Sequence, residues 1–148
     1  MSRVALLDVN VLVALFDPDH VHHELAHDWF ADHRHHGWAT CPITENGLVR
    51  VLSNPGYGGA VMRPAAVTGA LAQFRASGDH EFWPASLSLT DESRFDLSVV
   101  SGHGQLTDVY LLALATTTSG CLATFDRTVP VKAVLGATAA QLQIIGPA

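Results

Sequence analysis

The stretch VALLDVNVLVALF, residues 4–16, decides how the chain folds. Arg3 to Leu7 is a short apolar run of the kind a fully buried strand needs. Val9 to Phe16 reads as a brief helix, stopped at DPDH, where Pro18 breaks it. Asp8 stands at the junction as the only formal charge between Arg3 and Asp17. Carboxylates are seldom fully buried unless something compensates them. An aspartate at the end of a buried strand therefore asks for a chemical reason.

Beyond that stretch, strand and helix patterns alternate. HVHHELAHDWFADHRHHG (20–37) carries Val21, Leu25, Ala26, Trp29 and Phe30 at helical spacing, with Gly37 placed to end the helix. WATC (38–41) predicts a second strand, leading into Pro42 at the start of a helix with Ile43, Leu48, Val49 and Leu52. SNPGYGG (53–59) is turn-rich, Pro64 opens a helix to about Ala76, and HEFWPAS (80–86) is a strand entering a loop. Residues 85–104 follow no period. Gln105 to Thr118 predicts a helix, CLATF (121–125) a strand and LQIIG (142–146) a terminal strand. Such alternation implies parallel pairing through right-handed crossovers. The expectation is one α/β domain over residues 1–148, a three-layer sandwich with a central parallel sheet of four to five strands flanked by helices.

Composition narrows the function classes. At 148 residues, 48% hydrophobic and 15% charged, the chain can bury a sizeable core. No apolar run reaches the roughly 18–20 residues that cross a bilayer. An acid and an asparagine interrupt the N-terminal pattern of a secretory signal, which predicts a cytoplasmic protein. Cys41 and Cys121 lack ligand spacing and read as buried free thiols. The net charge of −6, with seven arginines and one lysine, argues against nucleic-acid binding through one broad basic surface. It leaves room for a small polyanion site built from arginines and metal ions.

In open α/β sheets, ligands bind beyond the carboxyl ends of the strands. Asp8 ends the first strand and Asp126 follows CLATF. Asp108, in GHGQLTD, opens the helix before that strand, and Glu45, in CPITENG, opens the helix leaving the second strand. Each has an ordinary explanation as a cap, a turn residue or a partner of a helix dipole. Together the four fall towards one end of the sheet, where their mutual repulsion calls for a cation. An all-oxygen cluster suits Mg²⁺ or Mn²⁺ rather than zinc. Metal-assisted phosphodiester cleavage is the reaction class that follows.

The ordered set LLDVNVLVAL, HVHHELAHDWF, ATCPITENGLVRVLSNP, HEFWP, GHGQLTDVYLLALA and LATFDR resembles the PIN-domain ribonucleases, specifically the VapC-type toxins of toxin–antitoxin pairs. The resemblance spans nearly the whole chain and retains all four acids. It implies an Mg²⁺- or Mn²⁺-dependent endoribonuclease with Asp8 and Asp108 as direct metal ligands. Glu45 and Asp126 would complete the cluster or act through water. It also implies a homodimer, a cognate VapB-like antitoxin, and a structured RNA substrate such as a transfer or ribosomal RNA loop.

Asn10 could orient Asp8 or contact substrate, or simply cap; Thr107 and Thr124 carry the same ambiguity. Arg50, Arg63 and Arg127 are candidates to meet phosphate, with Arg127 directly after Asp126. Tyr57 and Trp38 are the aromatics considered for base stacking, with core packing the stronger expectation for Trp38.

Three rival readings compete. His23, Glu24 and His27 spell H-E-x-x-H, and His20 joins them at helical spacing, as a zinc hydrolase would require, but a third ligand is lacking. A haloacid-dehalogenase phosphatase would need an acid where Asn10 stands, and a site lysine where only Lys132 exists. A non-cleaving RNA- or antitoxin-binding module would have no use for a negative pocket.

Overall fold

The computed structural model describes residues 3–59 and 61–147. Five short strands form one parallel sheet: β1 (Ala5–Leu7), β2 (Trp38–Thr40), β3 (His80–Phe82), β4 (Cys121–Thr124) and β5 (Leu142–Ile144). Their spatial order is β3-β2-β1-β4-β5. The helices are α1 (Val9–Phe16), α2 (His23–His33), α3 (Pro42–Leu52), α4 (Pro64–Ala76) and α5 (Leu106–Thr117).

Strand order and crossover handedness together fix the layers. The chain moves from β1 to β2 to β3 in one direction, so right-handed crossovers put α1 to α4 on one face. It then jumps back past β1 to β4, which puts α5 on the other. The pleat agrees. Ala5, Leu7, Trp38 and Ala123 pack with α1 to α4, whereas Leu6, Ala39 and Leu122 pack with α5. With both faces covered, the short strands are apolar throughout, as parallel sheets require.

Local chemistry sets the boundaries. Asp8 caps α1, and its side chain accepts from the Val9 amide. Pro42 opens α3, while Thr44 and Cys41 form a capping box; Cys41 is thus the cap of α3 rather than the last strand residue. Gly37, at φ +96°, makes the left-handed exit after α2 and its trailing 3-10 turn. Both cysteines are buried and free.

The expected helix from residue 20 begins only at His23. A turn closed by the His22 amide on His20 Nδ1 precedes it, leaving Val21 exposed instead of in the apolar stripe. The unreadable 85–104 stretch is a strap of turns and short 3-10 segments, Leu97–Val99 and His103–Gln105. It is fastened by an antiparallel bridge, Phe95 to Val134, and by Asp96 N–H to Ala133 O at 2.9 Å. Helix α3 lies close on α1 because Gly47 has no side chain: a Cβ there would stand 2.6 Å from Val9 Cγ2. That approach sets the helix bearing Glu45 and Arg50 beside the one that Asp8 begins.

Candidate active site

Strand order reverses between β1 and β4, and a crevice opens at their carboxyl ends. Asp8 leaves β1 there, Asp126 follows β4, and Asp108 approaches from the first turn of α5. Asp8 is only 3% exposed. Its Oδ1 accepts the Val9 amide at 2.7 Å and its Oδ2 the Thr124 hydroxyl at 2.8 Å. Thr124 Oγ1 also accepts the Asp126 amide at 3.0 Å, so one buried hydroxyl sets the spacing of two acids. Asp126 is fixed in turn by the Thr128 amide and hydroxyl, at 2.7 and 2.6 Å.

These environments push the three acids apart in proton affinity. Burial raises Asp8 above the ordinary carboxylate range, against the opposing hydrogen bonds from Thr124 and Val9. Burial also pushes Asp108 up to about 7, reinforced by the charges of Asp8 and Asp126 and by hydrogen bonding with both. Asp126 is lowered, first by the two bonds from Thr128. Crowding thus favours the protonated form at Asp8 and Asp108 and the ionised form at Asp126. Among the described residues, none of the three forms an ion pair with Lys, Arg or His.

Glu45 stands apart. It rises from the far side of β1, in the first turn of α3 after β2, and its charge is already answered. Oε2 accepts the Thr40 hydroxyl at 2.7 Å and Arg75 Nη1 of α4 at 3.2 Å. Thr40 and Arg75 carry no obvious chemistry in the sequence. The one signal was a repeated ending: WAT and LAT each close a strand with a fully buried threonine beside a site acid.

The remaining candidates scatter. Asn10 is exposed in the first turn of α1. Thr107 and Arg50 share a groove of about 400 Å³ with Val9, Ile43, Asn46 and Gly47, beside the acidic crevice. The Arg50 side chain makes no ion pair among the described residues. Arg63 is exposed at the start of α4. Arg127 turns away from the acids and donates to the carbonyls of Gly146 and Pro147. Trp38 is core, its indole N–H on Gly78 O at 3.0 Å. Tyr57 donates to Asp17 Oδ2 at 2.6 Å; burial and that bond push its phenol up to about 12.

The histidines have a structural task. His23 Nδ1 and His27 Nε2 meet the carbonyls of Ala14 and Leu15 at 2.7 and 2.8 Å, finishing the open end of α1. What counts against the zinc-hydrolase reading is that, among the described residues, no third ligating side chain joins His23 and His27 around a metal-sized point. Among the described residues, no three His, Cys, Asp or Glu side chains already enclose a metal-sized point. The aspartate trio supplies part of an oxygen shell and leaves the rest to water. Mg²⁺ is held in that way, through one or two carboxylates and retained waters, so the donor set fits a hard divalent ion.

Comparison with known proteins agrees with this architecture. Residues 5–135 match the PIN domain. Ribonuclease VapC44 of Mycobacterium tuberculosis is 46% identical over 134 residues, 90% of this chain and 94% of the relative. Ribonuclease VapC39 of the same organism is 44% identical over 132 residues, 89% and 95% of the two chains. Ribonuclease VapC38 is 42% identical over 123 residues, 83% and 85%. With the parallel sheet and its carboxyl-end acids already in place, these matches mean that the chain belongs to the PIN-domain family, among the VapC ribonucleases.

Proposed function

We propose that this protein is the endoribonuclease toxin of a VapBC-type toxin–antitoxin pair, hydrolysing phosphodiester bonds in structured RNA. The single observation that carries the reading is the aspartate trio at the β1/β4 switch point, built around a buried Asp8 and without a paired cation. Evolutionary kinship supports it, since the relatives are named ribonucleases. Asp8 and Asp108 are the direct ligands of Mg²⁺ or Mn²⁺, Asp126 completes the cluster, and Glu45, already paired with Arg75, acts through water. The bound ion would supply charge neutralisation at the phosphate and a more acidic water.

The chain's own residues do the rest. Val9 and Thr124 hold both Asp8 oxygens in place, so little reorganisation remains at the moment of reaction. Asp108, pushed up to about 7 by burial and its acidic neighbours, would have to be ionised to hold the ion, so metal affinity should rise with pH. Arg50 and Thr107 line the groove along which the RNA backbone runs. A net charge of −6 leaves little general attraction for RNA, so recognition rests on shape and exposed single-stranded bases. Loops of transfer or ribosomal RNA meet that description. The toxin works as a homodimer in the cytoplasm and is silenced by a VapB-like antitoxin. No helix among the described residues is long and apolar enough to cross a membrane.

The test is incubation with total RNA in Mg²⁺ or Mn²⁺, with EDTA and Asp8→Asn as controls. Cleavage that needs metal and Asp8 is the expected result; Asp8→Asn cleaving as well as wild type would sink the assignment. Sequencing the cut ends then identifies the RNA.

A further inference from the structure

We propose that Thr40 and Arg75 are positioning residues for Glu45, fixing one carboxylate oxygen and leaving the other for the attacking water; the role rests on the ribonuclease reading. Both contacts fall on Oε2, from Thr40 Oγ1 at 2.7 Å and Arg75 Nη1 at 3.2 Å. Oε1 carries no hydrogen bond among the described residues. A carboxylate held by one oxygen keeps a fixed plane and a free acceptor, which is what outer-shell partners of site carboxylates provide.

The support runs deeper than the first pair. Thr40 is fully buried, and His80 Nε2 lies 2.7 Å from the same hydroxyl. A threonine hydroxyl has one proton, and Glu45 takes it, so His80 Nε2 must donate to Thr40. That direction fixes the Nε2–H tautomer of neutral His80 and is met equally by the charged ring. Arg75 is steadied by the Phe82 ring, 5.1 Å from its guanidinium carbon. Residues from β2, β3, α3 and α4 thus converge on a single carboxylate oxygen. An incidental surface ion pair would not need a buried relay behind it.

The arrangement also repeats across β1. Thr124 at the end of β4 donates to Asp8 at 2.8 Å, as Thr40 at the end of β2 donates to Glu45 at 2.7 Å. Each of β1's neighbours ends in a threonine that aims one acid. On the β4 side the acids lack a cation, and on the β2 side Arg75 supplies it.

The experiment uses the intact chain with ¹³C-labelled glutamate carboxyls and Mn²⁺ alone as the paramagnetic probe. Only Glu24, Glu45, Glu81 and Glu92 contribute signals. Mn²⁺ should broaden Glu45 most in the wild type. Arg75→Ala and Thr40→Val should each weaken that broadening, while Arg75→Lys and Thr40→Ser restore it. Against RNA, the two disruptive variants should lose about 10–100-fold in kcat with KM little changed. Neither should lose more in a Glu45→Gln background. Unchanged broadening in both disruptive variants, or losses that add to that of Glu45→Gln, overturns the proposal. If Thr40→Val does not fold, Arg75→Ala carries the same comparison. Should the wild type cut no RNA while the broadening pattern holds, the ribonuclease reading falls and the positioning role stands. Should it cut RNA without preferential broadening of Glu45, the positioning role falls and the ribonuclease reading stands.

Discussion

The two sides of the crevice solve the same electrostatic problem differently. On the β4 side, Asp8, Asp108 and Asp126 crowd together, and the strain shows as a carboxyl pushed up to about 7. On the β2 side, Glu45 is equally close to a strand end, yet Arg75 neutralises it within the fold. The contrast separates three acids that the fold gives no cation from one that it pairs with Arg75, and the proposed division into metal ligands and a supporting acid rests on it.

The largest test of that contrast is Asp8→Asn, which should reduce cleavage by at least about 10³-fold, the scale of losing several kcal/mol of metal assistance. Circular dichroism should show an intact fold, because asparagine keeps the shape and sheds a buried charge. Next, Thr124→Val should weaken Mn²⁺ binding by about 10–100-fold, measured by calorimetry, because Asp8 loses its second-sphere donor. Glu45→Gln should leave Mn²⁺ affinity within a few-fold of wild type. Equal losses in both variants would erase the distinction between the two sides.

Stability against pH sharpens it further. Asp108 binds its proton in the native state up to about 7, against 3.8 for the ordinary group. At this group the native state thus holds more protons than the unfolded one across that window, and its contribution to metal-free stability should fall as pH rises through it. Asp8, also raised, adds to the same trend. Asp126, lowered, acts oppositely and only at more acidic pH. His20, His36 and His80, all lowered, act oppositely in the same window, so the Asp108 contribution is read as the Tm difference between wild type and Asp108→Asn without metal. That difference should decline from about pH 4 to pH 7, and saturating Mn²⁺ should flatten the decline. A difference that grows across this range would contradict a raised Asp108.

Two smaller effects test the scaffold. Gly47→Ala should cost about 1–3 kcal/mol by overpacking against the stiff Val9 side chain, seen as a lower urea midpoint. His23→Ala should cost at most about 1 kcal/mol, the worth of a helix-terminus contact, and leave RNA cleavage unchanged. Loss of cleavage in that variant would reopen a catalytic role for the histidine cluster.

Much of this was legible in the residues themselves. Asp8 betrays its position because it interrupts an apolar run, and Asp108 and Asp126 follow once strands and helices alternate. The separation of Glu45 was not legible. It depends on spatial strand order and on Arg75, which arrives from another helix 30 residues away. The role of the histidines was not legible either: their spacing mimics a ligand set that lacks a third member, whereas the partners of His23 and His27 are backbone carbonyls that leave no trace in sequence. The 85–104 strap was unreadable because a single antiparallel bridge and loop hydrogen bonds hold it, and these impose no period.

The Thr124–Asp8 bond spans 116 residues of chain. Contacts of such separation form only after a large loop has closed, and during synthesis Thr124 follows Asp8 by 116 residues. A chain that stops short of β4 therefore holds Asp8, Glu45 and Asp108 without Thr124 to fix Asp8 or Asp126 to join them. Asp8 thus stays unanchored until β4 has emerged and paired with β1, and the carboxylate crevice is among the last features of the fold to form.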